Sequence, residues 1–126
     1  MQHSTLSLTA PFDQAILKVT EALADEGFGV ITRIDMHETF KAKLGVDFPS
    51  YTILGACNPN MAWEAIGLEP KVGSMLPCNV IVREVDNGVE VSAIDPQASM
   101  AAIDNENLKR VAGEVRELLR KAVDSI

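Results

Sequence analysis

Two cysteines are the residues of this 126-residue chain best suited to chemistry, and each is followed directly by asparagine. The first lies in Leu54-Gly55-Ala56-Cys57-Asn58-Pro59 and the second in Met75-Leu76-Pro77-Cys78-Asn79-Val80. A cysteine thiolate is both a nucleophile and a ligand for soft metal ions. Both cysteines lie where an apolar run meets a turn signal, so we expect them at strand ends, where binding sites often form.

The first Cys-Asn pair stands where a helix is expected to begin. Asn58 is a favoured N-cap residue, and Pro59 suits the first helical position. The helix dipole and the free N–H groups of a helix start favour a thiolate, so Cys57 is a candidate nucleophile or soft-metal ligand. The alternative is that Cys57 is a small buried apolar residue and that capping alone accounts for Asn58.

The second pair opens a strand predicted over residues 77–85. Asparagine is depleted in strands, and a buried amide needs partners, so Asn79 is expected to face a ligand, a neighbouring loop or a second subunit. Strand alternation places Cys78 and Asn79 on opposite faces, so the pair is not expected to act on one substrate atom. The continuous run Val80-Ile81-Val82 predicts cover on both faces of this strand.

A hairpin is predicted to bring a carboxylate towards Cys78. Asn87-Gly88 suits a two-residue turn, which would place Val80 opposite Asp95 and bring Asp95-Pro96 to the Cys78 end. A carboxylate there could take a proton or bind a cation. The alternative is that Asp95 serves the turn, since Asp-Pro favours turn initiation.

Hydrophobic periodicity predicts the order β-α-β-α-β-α-β-β-α. The clear hairpin favours an α+β class over an all-parallel sheet. A capping box of Asp35 and Glu38 is predicted to start the second helix. Strands are predicted over 4–9, 28–34, 51–56, 77–85 and 89–95, and helices over 11–26, 36–43, 59–68 and 106–123. The last helix has one apolar stripe: Leu108, Val111, Ala112, Val115, Leu118, Leu119 and Ala122.

Composition and charge limit the partners of the chain. A net charge of −7 with dispersed Lys and Arg argues against nucleic acid and against acidic membrane surfaces. No apolar stretch approaches the ~20 residues of a membrane span, and the N-terminus lacks the features of a secretory signal. We therefore expect one domain over residues 1–126, a cytoplasmic location and free thiols.

Four segments together resemble domain-of-unknown-function family 302. They are Gly27-Phe28-Gly29-Val30, residues 54–59, Leu76-Pro77-Cys78-Asn79-Val80 and Asp95-Pro96. The resemblance covers nearly the whole chain. It implies an α+β fold like that of the TATA-binding protein, a curved, mainly antiparallel sheet with helices on one face. It also implies a homodimer, and it supplies no reaction.

Our leading hypothesis is a homodimeric domain that binds a small ligand or a soft metal ion in a groove. The expected lining is Cys57, Asn58, Cys78, Asn79 and Asp95. A thiol-dependent enzyme using Cys57 or Cys78 is the first rival, although no His adjoins either cysteine in the sequence. A protein-interaction module without a small-molecule site is the second. Met61, Trp63 and Met75 are expected to pack in the core or the dimer interface.

Two further kinds of site find little support in the sequence. No C-x-x-C or C-x-x-H spacing occurs, so a structural zinc site is not predicted. Gly27 and Gly29 lack the third glycine of a dinucleotide-binding fingerprint. No cofactor and no catalytic residue can be assigned from the sequence.

Overall fold

A five-stranded antiparallel sheet is the frame of the protein in a computed structural model, which describes residues 3–126. The strands are β1 (His3–Leu8), β2 (Gly29–Asp35), β3 (Tyr51–Cys57), β4 (Cys78–Val85) and β5 (Gly88–Ile94). They lie in the order β1-β5-β4-β3-β2, and every neighbouring pair is antiparallel. The predicted α+β class and the mainly antiparallel sheet are confirmed.

Two long helices cover one face of this sheet. In chain order the helices are α1 (Phe12–Asp25), α2 (Met36–Leu44), α3 (Pro59–Leu68), α4 (Pro96–Ser99) and α5 (Glu106–Asp124), and a 3₁₀ helix spans Pro70–Met75. The two long helices are α1 and α5. Helix α1 contacts β4, β5 and α5, and α5 contacts β1 and β5. The buried side chains of α5 recur at helical spacing: Leu108, Val111, Ala112, Val115, Leu119, Ala122 and Val123. Six of these seven belong to the predicted stripe, whose remaining member, Leu118, is half-buried.

Alternation along the strands separates a buried face from an open one. Val80, Val82 and Val91 are fully buried beneath the helices. On the other face, which we call the open face, cross-strand pairing aligns Ile34, Ile53 and Ile81 in one row. Ile34 is 47% exposed, and Ile53 and Ile81 are half-buried. The expectation that both sides of the β4 apolar run are covered therefore holds for one side only among the described residues.

The hairpin between β4 and β5 differs from its predicted register. Val80 pairs with Ala93 rather than with Asp95, and the two-residue loop is Asp86-Asn87. Asn87 takes the left-handed conformation, with φ of 71°. A β-carbon on Gly88 would collide with the carbonyl oxygen of Leu8 in β1. Gly88 therefore serves the close approach of β1 rather than the turn.

The start of α2 also differs from its prediction. Asp35 is the N-cap residue, but its side chain makes no capping hydrogen bond. Its carboxylate instead accepts a 2.7 Å hydrogen bond from the Thr52 hydroxyl of β3 and pairs with Arg33 at 3.1 Å. The predicted capping box is therefore wrong, because a partner 17 residues away takes the carboxylate. Of the helices within residues 3–126, none has the length and apolarity needed to cross a membrane.

Candidate functional site

A cavity of about 310 Å³ lies at one end of the sheet, beneath α3 and beside α5. Phe28, Ala56 and Cys78 line it from the sheet side. The roof comes from α3, through Met61, Ala62, Ala65 and Ile66, and one wall comes from α5, through Leu108, Val111, Ala112 and Val115. The lining contains no Asp, Glu, Lys, Arg or His. This is an apolar space with a few polar atoms at one end.

Strand pairing brings the two cysteine segments together. Ala56 of β3 lies opposite Cys78 of β4, so Cys57 comes next to the Cys78 end. On its other side Cys57 pairs with Gly29 of β2. Both cysteines line the cavity, and both are free thiols. The structure thus places the two thiols at one end of one cavity.

Cys78 is held as a neutral thiol. Its side chain is buried, with 6% exposure, and Val80 and Ala56 are its neighbours on the same face. Burial, as the larger cause, and the negative charge of Cys57 together raise the pKa of Cys78 to about 11. A thiol with this pKa is almost wholly protonated at neutral pH, so Cys78 behaves as a small apolar residue with a weak S–H donor.

Asn58 caps α3, as the sequence predicted, and lines the cavity as well. Its Oδ1 accepts a 3.4 Å hydrogen bond from the Met61 backbone N–H. Its Nδ2 lies beside Gly27, where a β-carbon would stand only 3.2 Å away. Gly27 takes φ of +86°, which glycine adopts without strain. Asn58 therefore joins the start of α3 to the turn after α1.

Asn79 lies outside the cavity. Its side chain is exposed on the open face, opposite in direction to the buried Cys78, as strand alternation predicted. Gly55 is its partner on β3. The ring of Pro77 and the Thr32 hydroxyl occupy the space that a β-carbon of Gly55 would need. Residues from the two cysteine segments therefore pack directly against each other on this side of the sheet.

Asp95 also lies outside the cavity lining, and its carboxylate has local partners. Oδ1 accepts hydrogen bonds from the backbone N–H groups of Gln97, at 2.9 Å, and Ala98, at 3.3 Å. Oδ2 accepts a 3.0 Å hydrogen bond from Arg116 Nε. Asp95 thus caps α4 and ties it to α5, which matches the turn interpretation, while the next residue, Pro96, lines the cavity.

The structure adds residues that the sequence did not single out for the site. Phe28, Ile31 and the wall on α5 were predicted as strand or helix residues without a role in binding. The sequence held one signal for this cavity, namely small residues on the elements that surround it: Ala56, Ala62, Ala65 and Ala112. Alanines on several packed faces leave space that larger side chains would fill.

Helix α3 is held over the cavity by apolar packing and by polar contacts at its surface. Ala65 is its one buried residue. Glu64 accepts a 2.7 Å hydrogen bond from Arg110 of α5, and the Asn105 amide donates a 3.2 Å hydrogen bond to the Leu68 carbonyl. Met61 and Leu68 of this helix also pack against the hydrophobic core, so apolar and polar contacts together fix it over the cavity.

A metal ion would find two protein ligands in this cavity. Within residues 3–126 there is no cluster of three or more His, Cys, Asp or Glu side chains that could hold a metal ion. His37 lies elsewhere, and its Nδ1 accepts a 2.9 Å hydrogen bond from the Tyr51 backbone N–H. The two thiols are therefore the donors that a soft ion could use.

Comparison with known proteins gives a family and a fold. The family model described as "Domain of unknown function DUF302" matches residues 4–126. The crystal structure of an uncharacterized conserved DUF302 protein from Bacillus stearothermophilus superimposes with a TM-score of 0.91 at 27% sequence identity. That alignment covers 98% of this chain and 97% of the other. Among curated proteins, no match to the chain was found.

Proposed function

The chain belongs to the family of domain of unknown function 302, and we propose that it is a small-molecule-binding protein whose site is the cavity beneath α3. One observation carries this proposal: all four segments that carry the family resemblance meet at this cavity. Phe28, Cys57-Asn58, Cys78 and Pro96 each come from a different segment, and each lines the same space. A preformed apolar pocket with a few convergent polar groups is the usual form of a ligand site.

An organic ligand fits the lining better than a soft metal ion does. The cavity offers a metal ion two thiols, and one of them, Cys78, would have to lose a proton that its surroundings retain. Apolar side chains form most of the lining and can bury an organic molecule at a favourable free energy. The ligand class that we propose is therefore organic.

A thiol-dependent enzyme is the second candidate, and the presence of Cys57 in the cavity favours it. Cys57 is half-buried and is the last residue of β3, next to the start of α3. Nucleophilic catalysis by a thiol usually needs an adjacent base, and the cavity lining contains no His, Asp or Glu. Binding without chemistry therefore accounts for the lining with fewer added assumptions.

Native mass spectrometry of freshly purified protein, together with a cavity-filling variant, tests the proposed function. Ala62→Leu places a larger side chain from α3 into the cavity, and Ala24→Leu makes the same change on an exposed position of α1. We expect a co-purified or added ligand to occupy the parent protein and Ala24→Leu, and to be lost from Ala62→Leu. Equal occupancy in folded samples of all three proteins would contradict the proposal.

We also propose that the protein is a homodimer, and that the open face is the surface joining the two copies. The row of Ile34, Ile53 and Ile81 gives this face an apolar stretch that runs from the edge strand β2 to the central strand β4. Polar pairs flank it, Thr5 with Ser92 at 3.2 Å and Arg83 with Glu90 at 2.9 Å. An apolar centre with a polar rim is typical of interfaces between proteins. Asn79 would then lie in the rim.

A further inference from the structure

The electrostatics of the cavity disfavour a charged ligand. Its lining has no charged side chain, and the polar side chains at its end are Cys57, Asn58 and Cys78. The Cys78 thiol stays neutral, and the Asn58 Oδ1 already accepts a bond from the start of α3. An ion moved into such a space loses its hydration and gains no partner of opposite charge, which costs several kcal/mol or more.

The volume of the cavity sets the size of the ligand. A dry apolar cavity of about 150 Å³ binds benzene. This cavity holds about 310 Å³, so a ligand of roughly twice the size of benzene fills it. A bicyclic aromatic molecule has this size. Longer lipids would have to extend through the mouth.

The mouth of the cavity lies between β2 and α3. Ile31 and Ile66 line the cavity, yet they are 62% and 44% exposed, so they mark the part that borders solvent. Ile31 is an extra residue in its strand, because the pairing of β2 with β3 shifts between Val30 and Thr32. Such a bulge redirects a side chain and is common beside binding sites.

We infer, on the basis of the proposed function, that the cavity selects an uncharged, largely apolar ligand of bicyclic size, which enters between Ile31 and Ile66. The cysteine thiols and the Asn58 amide supply its few polar contacts, and the walls on α3 and α5 supply the apolar ones. A carboxylate or an ammonium group of the same size is rejected because the lining holds no counter-ion. The site thus discriminates by charge as well as by size.

Three molecules of matched size test this selectivity at pH 7. They are 2-naphthylmethanol, which is neutral, 2-naphthoate, which is anionic, and 2-naphthylmethylammonium, which is cationic. Dissociation constants come from backbone amide shifts in NMR titrations, followed at Ala56, Cys78 and Ala112. We expect the alcohol to bind at least tenfold more tightly than either ion, and Ala62→Leu to weaken it at least tenfold while Ala24→Leu leaves it unchanged.

Surface variants give a second measurement that does not depend on changing the cavity interior. Ile66→Glu adds a negative charge at the mouth, and Leu17→Glu adds the same charge to an exposed position on α1 that does not line the cavity. We expect Ile66→Glu to improve binding of the cation relative to the anion several-fold, and Leu17→Glu to leave that ratio unchanged. An unchanged ratio in folded Ile66→Glu would overturn the assigned mouth.

Other outcomes separate the ligand class from the proposed function. Binding of either ion as tight as that of the alcohol overturns the neutral class. If none of the three molecules binds, but another ligand occupies the parent protein and is lost from Ala62→Leu, then the class fails and the proposed function stands. If naphthylmethanol binds equally to parent and folded Ala62→Leu, its site is elsewhere and the inference fails.

Discussion

The two thiols share one cavity but differ in their surroundings. Cys78 begins β4 and is buried under the helices, whereas Cys57 ends β3 and is half-buried. Burial of Cys78 disfavours its thiolate, and a charge on Cys57 would add repulsion. The Cys78 thiol is thus held in its protonated form at neutral pH. Any reaction of this site would have to start at Cys57.

The raised pKa of Cys78 predicts a loss of stability in alkaline solution. An unfolded thiol has a pKa of about 8.5, while the folded value is about 11. Stability from Cys78 is therefore complete below pH ~8.5 and is lost as the pH rises towards the folded pKa, by an amount on the order of 2 kcal/mol. Urea unfolding of the parent and Cys78→Ala at pH 7.5, 9 and 10.5 measures it.

Two controls make that measurement specific. Cys57→Ala should retain most of the alkaline loss, since burial is the larger cause of the raised Cys78 pKa. Iodoacetamide at pH 8 should label Cys78 only slowly in the folded protein and rapidly after unfolding in urea. Parallel pH profiles for the parent and Cys78→Ala would show that Cys78 titrates at the same pH in both states.

The hydrogen bond from the Thr52 hydroxyl to Asp35 predicts a loss of stability in acid, whereas Cys78 predicts a loss in alkali. This hydrogen bond lowers the pKa of Asp35, burial opposes that shift, and Arg33 lowers the pKa further. A lowered folded pKa gives stability that is present above pH ~4 and is lost as the pH falls through the folded value. Thr52→Val should cost about 1–2 kcal/mol at pH 7, and the cost should shrink towards pH 3.

Thr20→Val provides the matched control for that prediction. The Thr20 hydroxyl donates a 2.8 Å hydrogen bond to the Ile16 carbonyl, which does not titrate. Its removal should change the free energy of unfolding by an amount that is the same at pH 7 and pH 3. A cost of Thr52→Val that is equally independent of pH would mean that the hydroxyl does not hold the Asp35 charge.

At the scale of elements, β3 and β4 fit together through a glycine and a proline. The ring of Pro77 lies over Gly55, and Thr32 of β2 closes the other side. Gly55 belongs to the first cysteine segment and Pro77 to the second, so their contact keeps the two segments in register. A β-carbon at residue 55 would meet the rigid ring of Pro77 as well as the side chain of Thr32. Neither β3 nor β4 can shift away without moving the sheet side of the cavity, where Ala56 and Cys78 lie.

Two glycine-to-alanine substitutions test this fit. Gly55→Ala should destabilise the protein by about 1–3 kcal/mol, because the added methyl group has no space. Gly67→Ala, in α3, adds the same group where no heavy atom lies within 4 Å, and should stabilise by up to ~1 kcal/mol. Thermal and urea unfolding give both values. A neutral Gly55→Ala would show that Pro77 and Thr32 yield easily.

Local patterns predicted some elements well and long-range contacts decided the others. The cap at Asn58 and the stripe on α5 follow from residues a few positions apart, and both are confirmed. The predicted capping box at Asp35 is wrong because Thr52, on another strand, donates its hydroxyl to the Asp35 carboxylate. The predicted two-residue turn at Asn87-Gly88 is wrong because Gly88 belongs to β5 and lies against β1. The cavity itself depends on alanines from three elements, whose packing no local pattern shows.

At the scale of the whole molecule, the net charge and the area of the open face both bear on the proposed dimer. The net charge of −7 favours repulsion between copies, so a stable dimer needs an apolar surface to offset it. The open face spans five strands at ~4.8 Å spacing, and six residues at ~3.3 Å, so its footprint is about 24 by 20 Å. An accessible area of several hundred Å² per copy follows, approaching the ~800 Å² of a standard interface.

Trp63 offers a rival surface. It is 85% exposed on α3, so it does not pack in the core as one alternative from the sequence had it, whereas Met61 lines the cavity. Exposed tryptophan is typical of the residues that dominate binding energy in interfaces. Ile66, which is 44% exposed, lies one helical turn from Trp63 on α3, whereas the open face carries a continuous row of three isoleucines. We therefore propose the open face, rather than α3, as the dimer surface.

Sedimentation velocity over a range of concentrations tests that assignment. Ile81→Lys places a charge on β4, the central strand of the open face, where two copies related by a two-fold axis would bury it, and should weaken dimerisation at least tenfold. Leu17→Lys makes the same change in charge on an exposed helical position and should leave the dimer intact. Circular dichroism establishes that both variants are folded.

Trp63→Lys completes the comparison, because it separates the two apolar surfaces. If the open face joins the copies, Trp63→Lys should remain dimeric while Ile81→Lys dissociates. Dissociation of Trp63→Lys with a dimeric Ile81→Lys would move the interface to α3, where a second copy would lie close to Ile66 and the mouth of the cavity. A parent protein that is monomeric at every concentration would contradict both surfaces and leave the cavity as the single proposed site.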